Sequence, residues 1–413
     1  MNHLWIFILI IDWLLFIPVA FTVIYLMVFS VASLFSHNQK VVKSKHLNRF
    51  IVLIPSYRQD KHILQSVNSI LGQNYPQRMF DVVVISDHQS EITNMRLAQL
   101  PITLLTPNFE TSSKAKSLQY AIFNLPQFKI YDAVLILDAD NIVEPEFLEQ
   151  MNDAYESAGT KAIQAHRMSR NRDTPTARLD AIFEEINNSI FRKGHIALGL
   201  SAAISGSGVL FEFEWFKRSI MKSHHAVGED KELEALLMRE HIYVDYFEDI
   251  HVYDGKTRTR NEFNDQRGRW AYTQLHILLN NIRFFPRALL GRQYDLLDKL
   301  IQWMLVPRTI MMGIIMLMSL MGVLGLILPF ASTASAIKWW IAGAVVLLAF
   351  SLATPDYLVD EHWDNDFLHA PLVTVWGLVN ILRVGWKEAN SRLMSAGRNL
   401  RRIVTIPAPK PRK

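Results

Sequence analysis

Residues 133–140 read AVLILDAD, in which five apolar residues are followed directly by two carboxylates separated by an alanine. Two earlier segments have a similar form: FIVLIP at residues 50–55, with Tyr57 just beyond it, and FDVVVIS at residues 80–86, followed by Asp87. Short, continuous apolar runs are typical of parallel strands that are covered on both faces. These segments therefore predict three strands of one sheet, each with polar side chains just past its end.

Helical segments separate the predicted strands. Residues 63–71 and 114–124 have the character of helices, and residues 101–105 that of a further short strand. Strands that alternate with helices at this spacing form right-handed crossover units in an open sheet. We expect an α/β fold with a mostly parallel sheet covered on both faces, and a ligand site beyond the carboxyl ends of its strands.

Composition narrows the classes of protein that fit. The 413 residues include no cysteine, which excludes disulfides, cysteine-ligated zinc, iron–sulfur clusters and thiol nucleophiles. Hydrophobic residues make up 50% of the chain and charged residues 20%, which excludes a disordered or fibrous chain and indicates that part of it lies in lipid. The net charge is only +4, and we expect no nucleic-acid partner.

Apolar runs flank the predicted sheet. Residues 4–35 contain a single charged residue, Asp12, and exceed the ~20 residues that a helix needs to cross a bilayer. The run lacks the basic start and small-residue cleavage site of a signal peptide, so we expect a permanent anchor. Residues 309–337 and 339–354 are two further lipid-compatible runs. Residues 367–382 are interpreted as a re-entrant or surface helix, with a fourth crossing as the alternative.

Basic residues set the expected topology. Lysines and arginines follow the first apolar run and precede the second, so the positive-inside rule places the block between them in the cytosol. We expect a transmembrane helix at residues 1–36, a cytosolic domain at 37–295, interfacial and transmembrane helices at 296–390 and a basic cytosolic tail at 391–413. This arrangement is compatible with an integral protein of a bacterial inner membrane.

Asp138 and Asp140 form the first candidate site. In extended chain, residues two apart point to the same side, so both carboxylates can face one ligand. They could hold one hard divalent cation, or one could bind the metal while the other meets a sugar hydroxyl. Magnesium typically takes water and substrate phosphate oxygens as its remaining ligands.

The other strand ends supply residues that suit a nucleotide. Tyr57 could pack against a base, and the carboxylate of Asp87 could accept a hydrogen bond from a uracil or ribose group. Lys114, at the start of a predicted helix, could contact a diphosphate. Strand-end packing, a turn and a solvated lysine are the plain structural alternatives for these three side chains.

Two later segments carry further candidates. Gly228-Glu229-Asp230 offers Asp230 as a general base that takes a proton from an attacking hydroxyl, with a helix N-cap as the structural alternative. In Gln266-Arg267-Gly268-Arg269-Trp270, Arg269 could bind a diphosphate bidentately and neutralise charge on a leaving group. Trp270 could stack on a sugar face.

In order and spacing, these segments resemble the membrane-integrated family 2 glycosyltransferases, the polysaccharide-synthase group that includes cellulose, chitin, hyaluronan and poly-N-acetylglucosamine synthases. The resemblance covers residues 50–270 and depends on three motifs: Asp138-Ala139-Asp140 as the metal-binding D-x-D, Gly228-Glu229-Asp230 as the acidic motif, and the Q-x-x-R-W signature at 266–270. It implies the nucleotide-diphospho-sugar transferase fold. It also implies a nucleotide diphosphate-sugar donor, most readily a UDP-sugar, a Mg²⁺ or Mn²⁺ cofactor, and a glycan or lipid-linked acceptor.

The resemblance also implies a role for individual residues. Asp230 and Arg269 would be catalytic, and Asp138 and Asp140 would hold the metal. Donor contacts would come from Tyr57, Asp87, Lys114, Asp138, Gln266 and Arg269, and acceptor contacts from Gly206, Ser207, Glu229 and Trp270.

The chain departs from the family pattern in two places. The usual Asn-Glu pair after the first strand is Arg58-Gln59 here, and the usual Asp-Asp-Gly-Ser turn reads Ser86-Asp87-His88-Gln89-Ser90.

The resulting hypothesis is an inverting transfer of sugar from a nucleotide diphosphate-sugar to a glycan, repeated to build a polysaccharide. The growing glycan would pass between the helix at residues 309–337 and its neighbours, through a passage that is narrow or needs an export partner or an oligomer. Single addition onto a lipid or lipid-linked sugar is one alternative. A non-catalytic membrane scaffold that binds nucleotide-sugar is the other.

Overall fold

The structure is a computed structural model that describes residues 3–36, 39–126, 128–222, 228–327 and 333–358. The expectations for residues 367–382 and for the basic tail at 391–413 lie outside the described residues.

One sheet forms the centre of the domain, and its eight strands are ordered β3-β2-β1-β4-β7-β6-β8-β5. Neighbouring strands are parallel from β3 to β4 and again between β6 and β8, while β7 and β5 are antiparallel to their neighbours. The strands are β1 (Phe50–Tyr57), β2 (Phe80–Asp87), β3 (Thr103–Leu105), β4 (Ala133–Ile136), β5 (Ile142–Val143), β6 (Ala162–Ser169), β7 (Val209–Glu212) and β8 (Val244–Asp254).

Helices cover both faces of the sheet and flank the domain. Those of the domain are α2 (Ile63–Leu71), α3 (Glu91–Leu97), α4 (Lys114–Asn124), α5 (Phe147–Ala158), α6 (Pro175–Asn188), α7 (Gly194–Ala197), α8 (Phe213–Ile220) and α9 (Glu229–Arg239). The flanking helices are α1 (His3–Leu34), α10 (Arg260–Asn281), α11 (Phe285–Leu290), α12 (Tyr294–Met304), α13 (Arg308–Ile327) and α14 (Thr333–Ala353). A π-helical turn, Ser189–Lys193, joins α6 to α7.

The apolar strands have the predicted burial on both faces. In β1, Ile51 and Leu53 belong to one buried cluster, while Val52 and Ile54 belong to the cluster on the opposite face. Successive side chains of a strand point to opposite faces, so a run that is apolar throughout is stable only where both faces are covered. The predicted strands and helices of residues 50–136 are confirmed by β1, α2, β2, β3, α4 and β4.

The second half of the sheet differs from a purely parallel arrangement. Strand β7 lies between β4 and β6 and is antiparallel to both. The loop that leads into β7 contains Gly206 and Gly208, with φ of +76° and +62°, in the left-handed region that favours glycine. A Cβ at Gly208 would lie 2.9 Å from the side chain of Val252, so the close approach of this loop to β8 also requires glycine. This insertion brings residues 205–208 beside the end of β4.

Three long apolar helices pack together, with α14 in contact with both α1 and α13. Among the described residues, two segments are long and apolar enough to cross a membrane, Leu9–Leu34 and Ala336–Ala353. A third candidate span is formed if α12 and α13 are taken together, although their axes meet at 52°. The prediction of one helix over residues 309–337 is wrong, because α13 and α14 pack against each other and a Cβ at Gly322 of α13 would lie 2.8 Å from the side chain of Ala336 of α14.

Asp12, the lone charge of the first apolar run, is buried between helices. Its carboxylate pairs with the ammonium of Lys338 and accepts a hydrogen bond of 2.7 Å from Trp339 Nε1. A buried carboxylate is costly unless it is paired and hydrogen-bonded. Both partners lie on α14, so Asp12 joins α1 to α14.

Helix α1 also packs directly against the domain. The ring of His195 stacks on that of Phe29, with ring centres 3.8 Å apart and planes at 5°. Tyr25 donates a hydrogen bond of 2.6 Å to Asp298, and its hydroxyl lies 2.9 Å from His195 Nε2. Gly194, the first residue of α7, faces the backbone of Phe29 with no room for a side chain between them.

Replacing Gly194 by alanine should destabilise the protein, because the new Cβ would collide with the carbonyl oxygen of Phe29. The backbone at Gly194 is helical, with φ of −64°, so alanine would otherwise be favourable there. Overpacking of this kind costs about 1–3 kcal/mol. Thermal unfolding in neutral detergent should show a lower midpoint for Gly194→Ala.

Gly72→Ala is the matched control, since the nearest atom to its Cβ would lie at an ordinary 3.4 Å and its φ is −84°. An unchanged or raised midpoint for Gly194→Ala would contradict the direct packing of α1 on α7.

Candidate active site

The candidate site lies beyond the carboxyl end of β4, where the D-x-D segment meets the loop before β7. The ammonium of Lys114, the first residue of α4, pairs with the carboxylate of Asp138. The same ammonium donates a hydrogen bond of 2.9 Å to the carbonyl of Gly206. Lys114 therefore joins two other predicted site residues, Asp138 and Gly206, which are far apart in the sequence.

Asp140 lies in an acidic environment. Burial raises the pKa of its carboxyl to about 6, and the neighbouring carboxylates of Asp138 and Asp254 contribute to the increase. Gly255 lies close to it, since a Cβ at that position would be 3.3 Å from Asp140 Oδ2. A buried carboxylate with like charges around it is stabilised by a cation.

Asp138 and Asp140 are the candidate ligands for a divalent metal. Within the described ranges, no three acidic or histidine side chains converge as a complete metal site. The two residues supply carboxylates just beyond the carboxyl end of β4, and a positive charge would offset the burial of Asp140. This donor set fits Mg²⁺ or Mn²⁺ with the remaining ligands taken from water and a diphosphate, as these hard cations prefer.

The acidic motif lies on the other side of the Gly206 loop. Gly228 precedes α9 with φ of +84°, and Glu229 and Asp230 form the first turn of the helix. A Cβ at Gly206 would lie 3.3 Å from the Cβ of Asp230, so only glycine permits this approach. The N-cap position belongs to Gly228, and the alternative interpretation of Asp230 as the cap is wrong.

Electrostatics link the acidic motif to the D-x-D segment. Burial raises the pKa of Glu229 to about 7, and the adjacent charge of Asp230 adds to the effect, while Lys114 opposes it. Burial lowers the pKa of Lys114, but the carboxylates of Asp138, Glu229 and Asp230 outweigh burial and raise it above its ordinary value. The three carboxylates thus share one ammonium.

The segment at residues 266–270 lies within α10, and its two arginines point in different directions. Arg269 and Trp270 are exposed and line a cavity of about 430 Å³ together with Asp230. Arg267 is turned into the protein, where it pairs with Asp180 at 2.9 Å and lies over the ring of Phe263. Arg269, the arginine that the sequence pattern singled out, is the exposed arginine of this segment at the cavity, and its role towards a ligand stays a prediction.

Gln266 and Ser207 lie away from the open part of the site. Gln266 is partly buried, is not among the described residues that line the cavity, and has a side-chain oxygen with no hydrogen-bond partner within the described ranges. Ser207 is fully buried and hydrogen-bonds to Asn141 and to the backbone amide of Asp138. These contacts give Ser207 a part in holding the turn after β4, and the ligand roles of both residues stay predictions.

Tyr57 and Asp87 lie at the ends of the neighbouring strands β1 and β2. Asp87 is buried, with Oδ1 2.5 Å from His88 Nδ1 and with Oδ2 unpartnered among the described side chains. The half-exposed ring of Tyr57 meets His88 edge-on at 5.7 Å, and the guanidinium of Arg58 lies over it. His88 and Arg58, the two departures from the family pattern, therefore flank the predicted base-binding residues.

Sequence reasoning missed a group of buried charges beneath the cavity. Arg167 on β6 pairs with Asp254 and donates to the carbonyl of Ser205 at 3.2 Å. Lys256 pairs with Asp254 at 2.7 Å and reaches Glu184 on α6. The local sequence around these residues carries no motif, because the charges come from separate elements that only the fold brings together.

A family model described as glycosyltransferase-like family 2 matches residues 48–273, more than half of the chain. No curated protein matches the chain by sequence. Among solved structures, a mannosyltransferase from Pyrobaculum calidifontis, PcManGT, in complex with GDP-mannose and Mn²⁺ is 17% identical, with a TM-score of 0.48 over 80% of this chain and 99% of that one.

TarS 1–349 from S. aureus is 14% identical, with a TM-score of 0.41 over 75% of this chain and 82% of that one. The same protein in complex with UDP-GlcNAc gives 15% identity and a TM-score of 0.37, over 73% and 89%. The predicted fold class and the predicted enzyme class are both confirmed. The chain belongs to the glycosyltransferase-like family 2.

Proposed function

We propose that the protein is an inverting glycosyltransferase that is anchored in a membrane and transfers a sugar from a nucleotide diphosphate-sugar to a glycan acceptor. One observation carries the proposal: Asp230 lies between the D-x-D segment and the cavity that contains Arg269 and Trp270. A donor on the D-x-D side and an acceptor in the cavity would therefore meet at Asp230.

Asp230 would act as the general base. Its backbone position is set by the first turn of α9 and by the close approach of Gly206. From there its carboxylate would accept the proton of an acceptor hydroxyl as that hydroxyl attacks the anomeric carbon. Attack from the face opposite the leaving diphosphate inverts the configuration, so an α-linked donor would give a β-linked product.

Positive charge would stabilise the departing nucleoside diphosphate. Arg269 is exposed at the cavity and can bind phosphate oxygens bidentately. Asp138 and Asp140 would hold a Mg²⁺ or Mn²⁺ ion, which when bound would neutralise charge on the diphosphate. Trp270 would form an apolar platform for the acceptor sugar, while Tyr57 and Asp87 would bind the nucleotide base, for which uracil is the favoured candidate.

The membrane helices support a location at a bilayer, with the domain at residues 37–295 in the cytosol of a bacterium. The cavity is bounded by Thr22 and Leu26 of α1 and by the segment between α12 and α13. A glycan that is extended repeatedly would pass along this boundary, which favours polysaccharide synthesis. Transfer of one sugar to a lipid-linked acceptor is the second candidate, because the same boundary would admit an acceptor from the bilayer.

Sizing the products decides between these two candidates. Purified protein in lipid nanodiscs would be incubated with a panel of labelled UDP- and GDP-sugars. Repeated addition should give a ladder of products that lengthens with time, and a single discrete product would contradict it.

Asp230→Asn should lower kcat by about 10²–10⁴-fold, the usual contribution of a general base. Asparagine has nearly the same size, so donor binding should stay close to that of the unaltered protein. Turnover and donor affinity would be measured on the same preparation, with calorimetry for the affinity.

Glu214→Gln is the control for Asp230→Asn, since Glu214 also lies in the first turn of a helix but is exposed and does not line the cavity. That variant should keep full turnover. An Asp230→Asn protein with undiminished kcat would exclude Asp230 as the base.

Removal of divalent metal should stop turnover, and Asp140→Asn should weaken metal binding even without donor. Manganese affinity would be followed by electron paramagnetic resonance, which reports on the site independently of activity. The asparagine variant should require at least about tenfold more Mn²⁺, because one charged ligand is lost. Full activity in excess EDTA, or unchanged Mn²⁺ affinity in Asp140→Asn, would remove the metal role from this segment.

A further inference from the structure

The cavity beside Asp230 has walls of two kinds. Its volume of about 430 Å³ lies within the range of small-molecule sites, which is roughly 300–1,000 Å³. Apolar side chains come from α1, from the π-helical turn, from α12 and from the break between α12 and α13, namely Leu26, Phe191, Trp303, Leu305 and Val306. Cationic side chains come from the domain and from the start of α13. An occupant must therefore match both apolar and positively charged surfaces.

Positive charge is in excess along the walls of this cavity: among the described residues that line it, the cations are Arg167, Arg192, Lys231, Arg269 and Arg308, and the carboxylates are Glu184 and Asp230. Five cations form one cluster, which we call the basic cluster: Arg167, Arg192, Lys256, Arg267 and Arg308. Three carboxylates pair with it: Asp180, Glu184 and Asp254. Glu185 also lies nearby, with one carboxylate oxygen 3.0 Å from His166 Nε2. Buried charge is costly unless it is paired, so the cluster is suited to an anion.

Arg308 is the member of the basic cluster that has no carboxylate of its own among the described residues. Its Nη2 donates a hydrogen bond of 2.6 Å to the side-chain oxygen of Asn187, and its guanidinium lies over the ring of Phe183 at 5.3 Å. Its Nη1 is buried without a hydrogen-bond partner in the described part of the chain, although Arg308 lines the cavity. A buried donor of this kind normally has an acceptor. An anionic phosphate oxygen is the strongest one available to a guanidinium.

The position of Arg308 indicates where the rest of such a ligand would lie. It is the first residue of α13, directly after the break at Leu305–Pro307, and the α12–α13 pair is a candidate bent span. Leu26 of α1, within the candidate span Leu9–Leu34, faces the same cavity. A hydrocarbon chain attached to the phosphate could leave between these apolar helices, whereas a soluble sugar would gain nothing from them.

We infer that the acceptor is a lipid-linked sugar whose phosphate binds Arg308 while its sugar hydroxyl reaches Asp230 in the same cavity. The inference rests on the proposed function and selects its second candidate, the transfer of a sugar to a lipid-linked acceptor. A lipid-linked acceptor would enter from the bilayer and stay there through the reaction. The bound phosphate would fix the distance between the membrane surface and the general base, Asp230. The sugar would stack on Trp270.

Binding of farnesyl phosphate and of farnesol would test this inference on the full chain in neutral detergent, by isothermal titration calorimetry without donor. The phosphate should bind about tenfold tighter or more, the gain expected from a charge-assisted hydrogen bond. Arg308→Gln should remove that difference. Equal affinities for the phosphate and the alcohol would overturn the inference, and this comparison needs only the unaltered protein, so it decides even if the glutamine variant fails to fold.

Arg287→Gln is the matched control, because Arg287 is an exposed arginine on α11 outside the cavity. The control should keep the preference for phosphate, and a preference that survives in Arg308→Gln would overturn the role of Arg308. The protein could instead bind tetragalacturonate in an Arg308-dependent way and not bind farnesyl phosphate. That outcome would overturn the inference of a lipid-linked acceptor and indicate an acidic glycan as the acceptor. Nucleotide-sugar binding, measured on the same preparation with Mn²⁺, tests the proposed function separately.

Discussion

One ammonium group, that of Lys114, holds the candidate site together. It pairs with Asp138, donates to the carbonyl of Gly206 and shares the field of Glu229 and Asp230. Without a cation among them, these carboxylates would repel one another in a partly buried space. The lysine begins α4, where Ser113 caps the helix by accepting from the amide of Lys116. The cap places the lysine, and the lysine in turn holds the D-x-D segment against the glycine loop.

The antiparallel strand β7 makes this meeting of segments geometrically feasible. It places the loop of Gly206 and Gly208 at the end of β4, next to Asp138 on one side and Asp230 on the other. Both glycines have positive φ, and each faces a neighbour that leaves little or no room for a side chain. The acidic motif can then approach the D-x-D segment although about ninety residues separate them in the sequence. Function here depends on the close approach of three backbone segments.

The boundary between the domain and the long helices adds the second part of the site. Contacts of Phe29 with His195, and of Tyr25 with Asp298, fix α1 against α7 and α12. The cavity lies along this same boundary, so its shape depends on how the apolar helices pack on the domain. The basic cluster beneath it includes residues of β6, of the segment after β8 and of the start of α13. A site of this kind joins the chemistry of the domain to the apolar surface of the long helices.

Much of the fold could be predicted from the sequence. The strands β1, β2 and β4, the helices α2 and α4, and the carboxylates after β4 follow from local patterns, because a strand buried on both faces must be apolar at every position. Arg269 and Asp230 line the same cavity, as expected if the two motifs belong to one site, but their roles stay predictions. The orientation of Arg267 required the tertiary structure. Residues two apart on a helix are rotated by about 200° around its axis, so they face nearly opposite sides. Only packing decides which of them faces a cavity.

Other features were settled by tertiary structure alone. Asp12 pairs with Lys338, α14 packs against both α1 and α13, and one guanidinium nitrogen of Arg308 has no partner among the described residues. These features depend on residues that are far apart in the chain. Local sequence determines which segments are apolar and where polar residues follow them, because those properties belong to single elements. Burial, charge balance and cavity shape depend on the distances between elements, and those distances exist only once the chain has folded.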